Sequence, residues 1–294
     1  MADVIASPSV RKRALEKGID IEKRAAELGR DSLTLDDLAD DRAQAGGAPA
    51  GDTGYWNVDH GQYGPVREEP MSRFAQVAAR NLAAAQALIP AVTHHARADL
   101  RAVEAFRARL KPEAQARGLR LTALAFHVKA LARALREFPR FNASLSPYGE
   151  TLILKDYVHV GIAVDTEHGL MVPVIRDADR KGLWQISSEI ADLAARAQSR
   201  KIRPDEMGGA SMTISNLGGI GGIGFSPIVN PPELAILGIT RTETVTVWEG
   251  DTPRPVPMAP LDLSYDHRVI NGADAARFMA FLCRLIADPR RLLI

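Results

Sequence analysis

Residues 211–232 read SMTISNLGGIGGIGFSPIVNPP, and this run decides which kind of α/β protein the chain can be. Ser211 to Ser215 alternates polar and apolar side chains, as a half-buried strand does. The glycines that follow contain the dinucleotide-binding spacing GxGxxG at Gly219, Gly221 and Gly224. Such a loop holds a pyrophosphate only where a helix opens on the last glycine and turns its free amides toward the ligand. Pro227, Pro231 and Pro232 forbid that helix, because each lacks the N–H and fixes φ. The run therefore reads as a strand entering a glycine-rich turn, one that lets backbone approach a ligand or a neighbouring chain.

Outward from this run, helical and strand patterns alternate. Ser72 is placed to cap a helix with apolar positions at Phe74, Val77, Ala78, Leu82 and Ala85. Further helices are expected over 99–110, 122–138, 183–200 and 273–286. Strands are expected over 91–97, 158–164, 171–175, 211–215, 234–239, 244–248 and 261–265. Asp165 to Gly169 supplies a turn between the second and third of these strands. The mixture makes 55–294 one α/β domain.

Ahead of it, Ala43 to Gly54 (AQAGGAPAGDTG) has almost nothing to pack and reads as a flexible linker, giving a boundary over 41–54. Residues 1–40 read as a small helical unit. Ser7-Pro8 is a cap followed by proline at the first helical position, Asp20 opens a second helix, and Thr34 to Asp37 resembles a capping box. So short a unit buries little apolar surface and is more plausible as a docking module than as an enzyme.

Composition excludes several classes of function. The 37 basic and 36 acidic side chains balance to a net charge of +1, with no run of Lys or Arg to grip phosphates in series, so no nucleic-acid partner is expected. The single cysteine, Cys283, excludes an internal disulfide framework and a cysteine-rich metal site. The first 30 residues lack the apolar core of a signal peptide. The most apolar run, Leu121 to Leu135, is broken by His127, Lys129 and Arg133. A soluble, cytoplasmic chain without a membrane partner is expected. His60, His94, His95, His127, His159 and His168 form no HExxH or carboxylate cluster, and no metal site is expected. His94 and His95 lie in a strand-like run where neighbours point to opposite faces.

A second chemical signal is Ser264-Tyr265-Asp266-His267-Arg268-Val269-Ile270-Asn271-Gly272. A histidine between a strand and a new helix sits where catalytic groups are displayed, and imidazole is a general base near neutral pH. The alternative is a ring that only satisfies nearby backbone.

The run Leu263 to Phe278 (LSYDHRVINGADAARF) resembles the DHRxxxG signature of the dihydrolipoamide acyltransferases, the core components of 2-oxoacid dehydrogenase complexes. The likeness extends through Lys201 to Gly238 and to Arg290-Arg291-Leu292-Leu293-Ile294, covering essentially 55–294. It implies a chloramphenicol-acetyltransferase-like, mixed-sheet catalytic domain. It also implies acyl transfer between dihydrolipoamide and coenzyme A, with His267 as general base on the thiol. Ser215, which lies 52 positions before His267, is implied as the oxyanion donor. Asn271 stands where many members have aspartate, and an orienting role is expected for it. Asp266 and Arg268 are expected to make structural ion pairs. Ile220 to Glu233 resembles the pyruvate-type members, so acetyl is the expected acyl group.

The head resembles a peripheral subunit-binding domain at Ala6-Ser7-Pro8-Ser9-Val10-Arg11-Lys12, with Arg11 as a partner-binding residue. It departs from that domain at Glu27 to Thr34, where the usual GTGxxGR loop is missing. The resemblance implies docking of dihydrolipoyl dehydrogenase or the 2-oxoacid decarboxylase through 1–40. It implies a homotrimer with Ser215 and His267 meeting only across a subunit boundary, and larger shells built through the apolar C-terminus. No lipoyl domain with a DKA tripeptide lies within these residues. Either the chain is part of a longer polypeptide, or the lipoyl group arrives in trans. Two other readings stay open: a non-catalytic scaffold on the same fold, and a free-standing small-molecule acetyltransferase.

Overall fold

The computed structural model describes residues 4–7, 10–11, 14–15, 19–27, 32–33, 58–167 and 169–292. The expected linker over 41–54, the Thr34 to Asp37 capping pattern, Pro8, Tyr55, Trp56, His168 and the last two C-terminal residues lie outside them. The chain divides into two compact units, Met1–Glu69 and Pro70–Ile294.

In the first unit Ser7 Oγ accepts the Val10 N–H at 3.3 Å, and residues 10–11 and 14–15 are helical. Asp20 Oδ1 accepts the N–H groups of Glu22 and Lys23 at 2.9 and 3.2 Å, capping α1 (Ile21–Glu27). Where only helices are expected, a short parallel pair also forms between β1 (Ile5–Ala6) and β2 (Ser32–Leu33). Val4, Val10, Ala14, Ala25 and Leu33 are its small core.

The second unit opens with α2 (Arg73–Leu88), whose Ser72 cap accepts the Ala75 N–H at 3.2 Å. The apolar stripe expected for this helix is largely exposed: Ala85 is buried, but Phe74, Val77 and Leu82 are each about two-fifths exposed. The pattern is real, yet among the described residues this stripe is not fully covered. There follow β3 (Ala91–Asp99), α3 (Arg101–Ala116) and α4 (Ala123–Glu137). The hairpin β4 (Ala143–Leu145) and β5 (Leu152–Leu154) comes next, then β6 (Val160–Ala163), β7 (Val174–Ile175) and α5 (Leu183–Gln198). The chain continues through β8 (Met212–Asn216), β9 (Ala235–Ile239), β10 (Glu243–Glu249), β11 (Thr252–Asp266) and α6 (Gly272–Ala287). Among the described residues no helix is long and apolar enough to cross a membrane.

One mixed sheet organises the unit. Its order is β10-β11-β9-β8-β6-β7, with β3 also paired to β11. β6, β8 and β9 run parallel to one another, and the remaining pairs are antiparallel. The helices supply the main core: Phe126, Leu131 and Leu135 from α4 and Phe278, Leu282 and Ile286 from α6 meet Ile214, Leu237, Leu261 and Leu263 of the sheet. Phe141 and Phe278 stack with centroids 4.2 Å apart. The opposite sheet face is polar, carrying Thr213, Ser215, Asp262 and Ser264, and the segment 217–233 returns over it. Val229 packs there on Ile89 and Ile236.

Close approach across β6 and β8 needs Gly161. A Cβ at that position would lie 2.5 Å from Thr213 Oγ1 and 3.0 Å from Val172 Cγ1. Gly161→Ala is expected to destabilise the fold by about 1–3 kcal/mol, through overpacking, as read by urea denaturation. A variant within about 0.5 kcal/mol of the parent would show that Thr213 moves away at little cost.

Candidate active site

The strand-to-helix passage after β11 is fixed by Asp266. Its N–H donates to the Leu234 carbonyl at 2.8 Å. Its carboxylate, 1% exposed, accepts the Arg268 N–H at 3.0 Å and the Arg268 guanidinium at 2.6–3.1 Å. This is the expected ion pair, and it closes the turn that presents His267. The His267 N–H donates to the Pro90 carbonyl at 3.1 Å, and its exposed ring lies 5.9 Å from the Tyr265 ring in a near-parallel arrangement. Among the described residues the imidazole nitrogens make no hydrogen bond. Asn271 Oδ1 accepts the Asp274 N–H at 2.9 Å and caps α6, a duty that asparagine and aspartate perform equally well.

Ser215 stands elsewhere on the sheet. It is half-buried near the end of β8, and its hydroxyl makes no hydrogen bond among the described residues. Strand register sets its distance from His267. Ser215 pairs with Gly238, which pairs with Asp262, five residues before His267. Two strand spacings and five residues of rise put the two positions about 19 Å apart within one chain. So His267 and Asn271 share one end of β11, whereas Ser215 cannot reach them in the same copy. The glycine run after Ser215 forms no helix, consistent with its prolines. It presents Ile220 and Ile223 with 70% and 79% of their surface exposed.

Arg11, in the first unit, donates through Nη2 to the Val4 carbonyl at 2.9 Å and through Nε to the Ala6 carbonyl at 3.3 Å. Two other described histidines have local partners of their own. His127 is buried with Nδ1 on the Ala123 carbonyl, and His159 Nδ1 accepts the Asp177 N–H. Burial pushes the Cys283 thiol up to about 11, which removes it as a nucleophile at neutral pH.

Two groups escape the sequence reading. One is the His95–Asp262 pair, with Nδ1 and Oδ1 2.6 Å apart. The other is Glu233, 5% exposed, whose Oε1 accepts the Thr213 hydroxyl at 2.8 Å while Oε2 is buried without a partner among the described residues. In both cases the partners are distant in sequence and only strand register brings them together. A polar residue inside an apolar strand, as in Leu261-Asp262-Leu263, was the one available signal.

What the fold shows as an α/β domain, the comparison with known families identifies as an acyltransferase catalytic domain. Residues 63–294 match the model of the 2-oxoacid dehydrogenases acyltransferase (catalytic domain), and the chain belongs to that family. It is 46% identical over 303 residues to the dihydrolipoyllysine-residue acetyltransferase component of the pyruvate dehydrogenase complex of Pseudomonas aeruginosa, covering 100% of this chain and 55% of that protein. The corresponding Bacillus subtilis component is 39% identical, covering 99% of this chain and 68% of the relative. A solved structure of the Azotobacter vinelandii dihydrolipoamide acetyltransferase superimposes with a TM-score of 0.79 at 50% identity, over 81% of this chain and 98% of that one. That structure addresses the roles of a serine, a histidine and an asparagine in the catalytic mechanism. An equally similar structure is the cubic core of a pyruvate dehydrogenase multienzyme complex. The chain spans about half the length of several curated relatives it matches.

Glu233 gives the site region a pH signature. Burial pushes its carboxyl up from 4.5 to about 7, against the opposing pull of the Thr213 hydroxyl and Lys155. With the folded pKa raised, this group's stabilising contribution is complete below pH 4.5 and is lost as pH rises through about 7. Glu233→Gln, a neutral mimic, is expected to remove a loss on the order of 3 kcal/mol between those limits. Urea denaturation at pH 5, 7 and 9 checks this, and an unchanged pH slope in the variant would refute it.

Proposed function

We propose that the chain transfers acetyl between dihydrolipoamide and coenzyme A as the catalytic part of a pyruvate dehydrogenase core. The observation that carries this reading is a shared spacing. In the Azotobacter vinelandii enzyme the serine, histidine and asparagine under study are separated by 52 and 4 positions. Ser215, His267 and Asn271 are separated by the same 52 and 4 positions in a chain half identical to it.

The chemistry follows from the groups. A thiol of ordinary pKa near 8.5 is mostly protonated at pH 7, and the thiolate is the nucleophile. His267 removes the proton as sulfur attacks the thioester carbonyl. A new C–S bond forms, and charge develops on the carbonyl oxygen. The Ser215 hydroxyl, with no hydrogen-bond partner among the described residues, donates to that oxygen. One such donor is worth roughly 3–4 kcal/mol in the transition state. Collapse breaks the old C–S bond, and the imidazolium returns its proton to the departing thiolate. Asn271 starts α6 directly beyond the His267 turn and orients that turn.

Because one chain holds Ser215 and His267 about 19 Å apart, the site is completed by a second copy, in a trimer in which His267 of one chain faces Ser215 of the next. The uncovered stripe of α2 (Phe74, Val77 and Leu82) suits burial between copies. The lipoyl group and coenzyme A are substrates. The first unit, with Arg11, docks the dihydrolipoyl dehydrogenase or decarboxylase partner, and trimers associate into a larger shell.

In transfer from acetyl-CoA to free dihydrolipoamide, His267→Ala is expected to abolish activity and Ser215→Ala to lower kcat by about a hundredfold or more. Asn271→Ala should cost less than His267→Ala. A folded, oligomeric parent as inactive as His267→Ala would overturn the assignment in favour of a scaffold.

Mixed assembly tests the shared site separately. Refolding or co-expressing His267→Ala with Ser215→Ala chains should restore about a quarter of parental activity, because that fraction of random interfaces pairs an intact serine with an intact histidine. No recovery in verified mixed oligomers would place both groups in one chain.

A further inference from the structure

The polar face of the sheet carries an arrangement that the acyl-transfer chemistry leaves unused. Ser215, Gly238, Asp262 and His95 are directly paired in sequence across four adjacent strands, β8, β9, β11 and β3. Directly paired residues share a face, so these four form one row, with Asp262 about 10 Å from Ser215. The slot left by Gly238 is filled by the Phe225 ring: a Cβ at Gly238 would lie 2.7 and 2.8 Å from its Cε1 and Cζ. The ring thus lies in the row between Ser215 and Asp262.

Asp262 holds Phe225 there. Its Oδ2 accepts the Phe225 N–H at 3.0 Å, and its Oδ1 accepts the His95 Nδ1–H at 2.6 Å. The carboxylate is 3% exposed, whereas the His95 side chain is 63% exposed. A buried carboxylate is costly unless every oxygen finds a donor, so losing either partner loosens the other. The rest of the glycine loop is held near its start by Asn216 Oδ1 on the Gly218 N–H at 2.9 Å and farther on by Arg241 on the Ile220 carbonyl at 2.9 Å. Asp262 fastens its exit.

We propose that Asp262 and His95 are a positioning pair for the acyl-transfer site: the carboxylate seats Phe225 and the glycine loop beside Ser215, and His95 locks the carboxylate. The inference rests on the acetyltransferase reading. The pair touches no reacting atom. It acts by keeping the loop in the conformation that receives the acyl-accepting thiol. Its loss therefore lowers the seated fraction of free protein and raises the apparent substrate constant by the same factor, while the bound complex turns over normally.

The test uses the full chain, with backbone amide exchange over 218–226 and steady-state acetyl transfer to free dihydrolipoamide measured together. Asp262→Asn and His95→Phe are each expected to speed exchange of that segment and raise KM by about tenfold, with kcat within about twofold of the parent. His95→Asn keeps an N–H donor near the Nδ1 position and should return both readings to within about twofold of the parent. Where Asp262→Asn does not fold, the two variants at the exposed His95 carry the test. Unchanged exchange, a fall in kcat alone, or His95→Asn behaving like His95→Phe overturns the pair's role. A parent chain without acetyl transfer overturns the acetyltransferase reading and this inference with it. An active parent whose variants exchange normally overturns the pair alone.

Discussion

β11 is paired on both edges through its second half, to β3 from Met258 to Asp266 and to β9 from Leu261 to Tyr265, and that double pairing governs the rest of the molecule. Residues 259–266 are buried, which encloses two carboxylates in the sheet. Each has to collect donors from whatever chain lies above it. Asp262 draws in Phe225 and His95; Asp266 draws in Arg268. Those demands shape the glycine loop on one side and the turn carrying His267 on the other. The register through β9 to β8 then sets where Ser215 stands.

What the sequence made legible was local. The helices over 73–88, 101–116, 123–137, 183–198 and 272–287 follow apolar periodicity, and the expected cap at Ser72 is borne out by its hydrogen bond, whereas the Asn271 cap of the last helix was not anticipated. The mixed sheet was implied by the family resemblance, while the residues themselves showed the strand runs and the prolines that rule out a nucleotide-binding helix. β11 is longer than the expected strand over 261–265, and its added first half carries Pro253, Pro255 and Pro257. Their even spacing turns all three missing N–H groups to one edge, so the other edge remains free to pair with β10. The hairpin of β4 and β5 was not anticipated, its strands being three residues each.

The site was legible in part, for a related physical reason. A motif names His267, Ser215 and Asn271, but it says nothing of where a sheet will put them. Glu233 and Thr213 meet across 20 residues of sequence, and His95 and Asp262 across 167. No local pattern encodes contacts of that range. The same limit applies to α2, whose apolar stripe does not say what covers it.

The proposed shared site also suits the proposed reaction. Two bulky carriers must bring their sulfur atoms to one carbonyl, and neither may admit water, since hydrolysis would waste the thioester. A pocket sunk into one chain has a single mouth, which the first carrier would block. A seam between copies is open at both ends and lets the carriers approach from opposite sides. In a closed ring the patch bearing Ser215 always faces the patch bearing His267 of the next copy, so every chain contributes to two sites and no edge is left over. On the proposed reading, the separation that keeps the two groups apart within one chain is thus what would allow a ring of copies to bring them together.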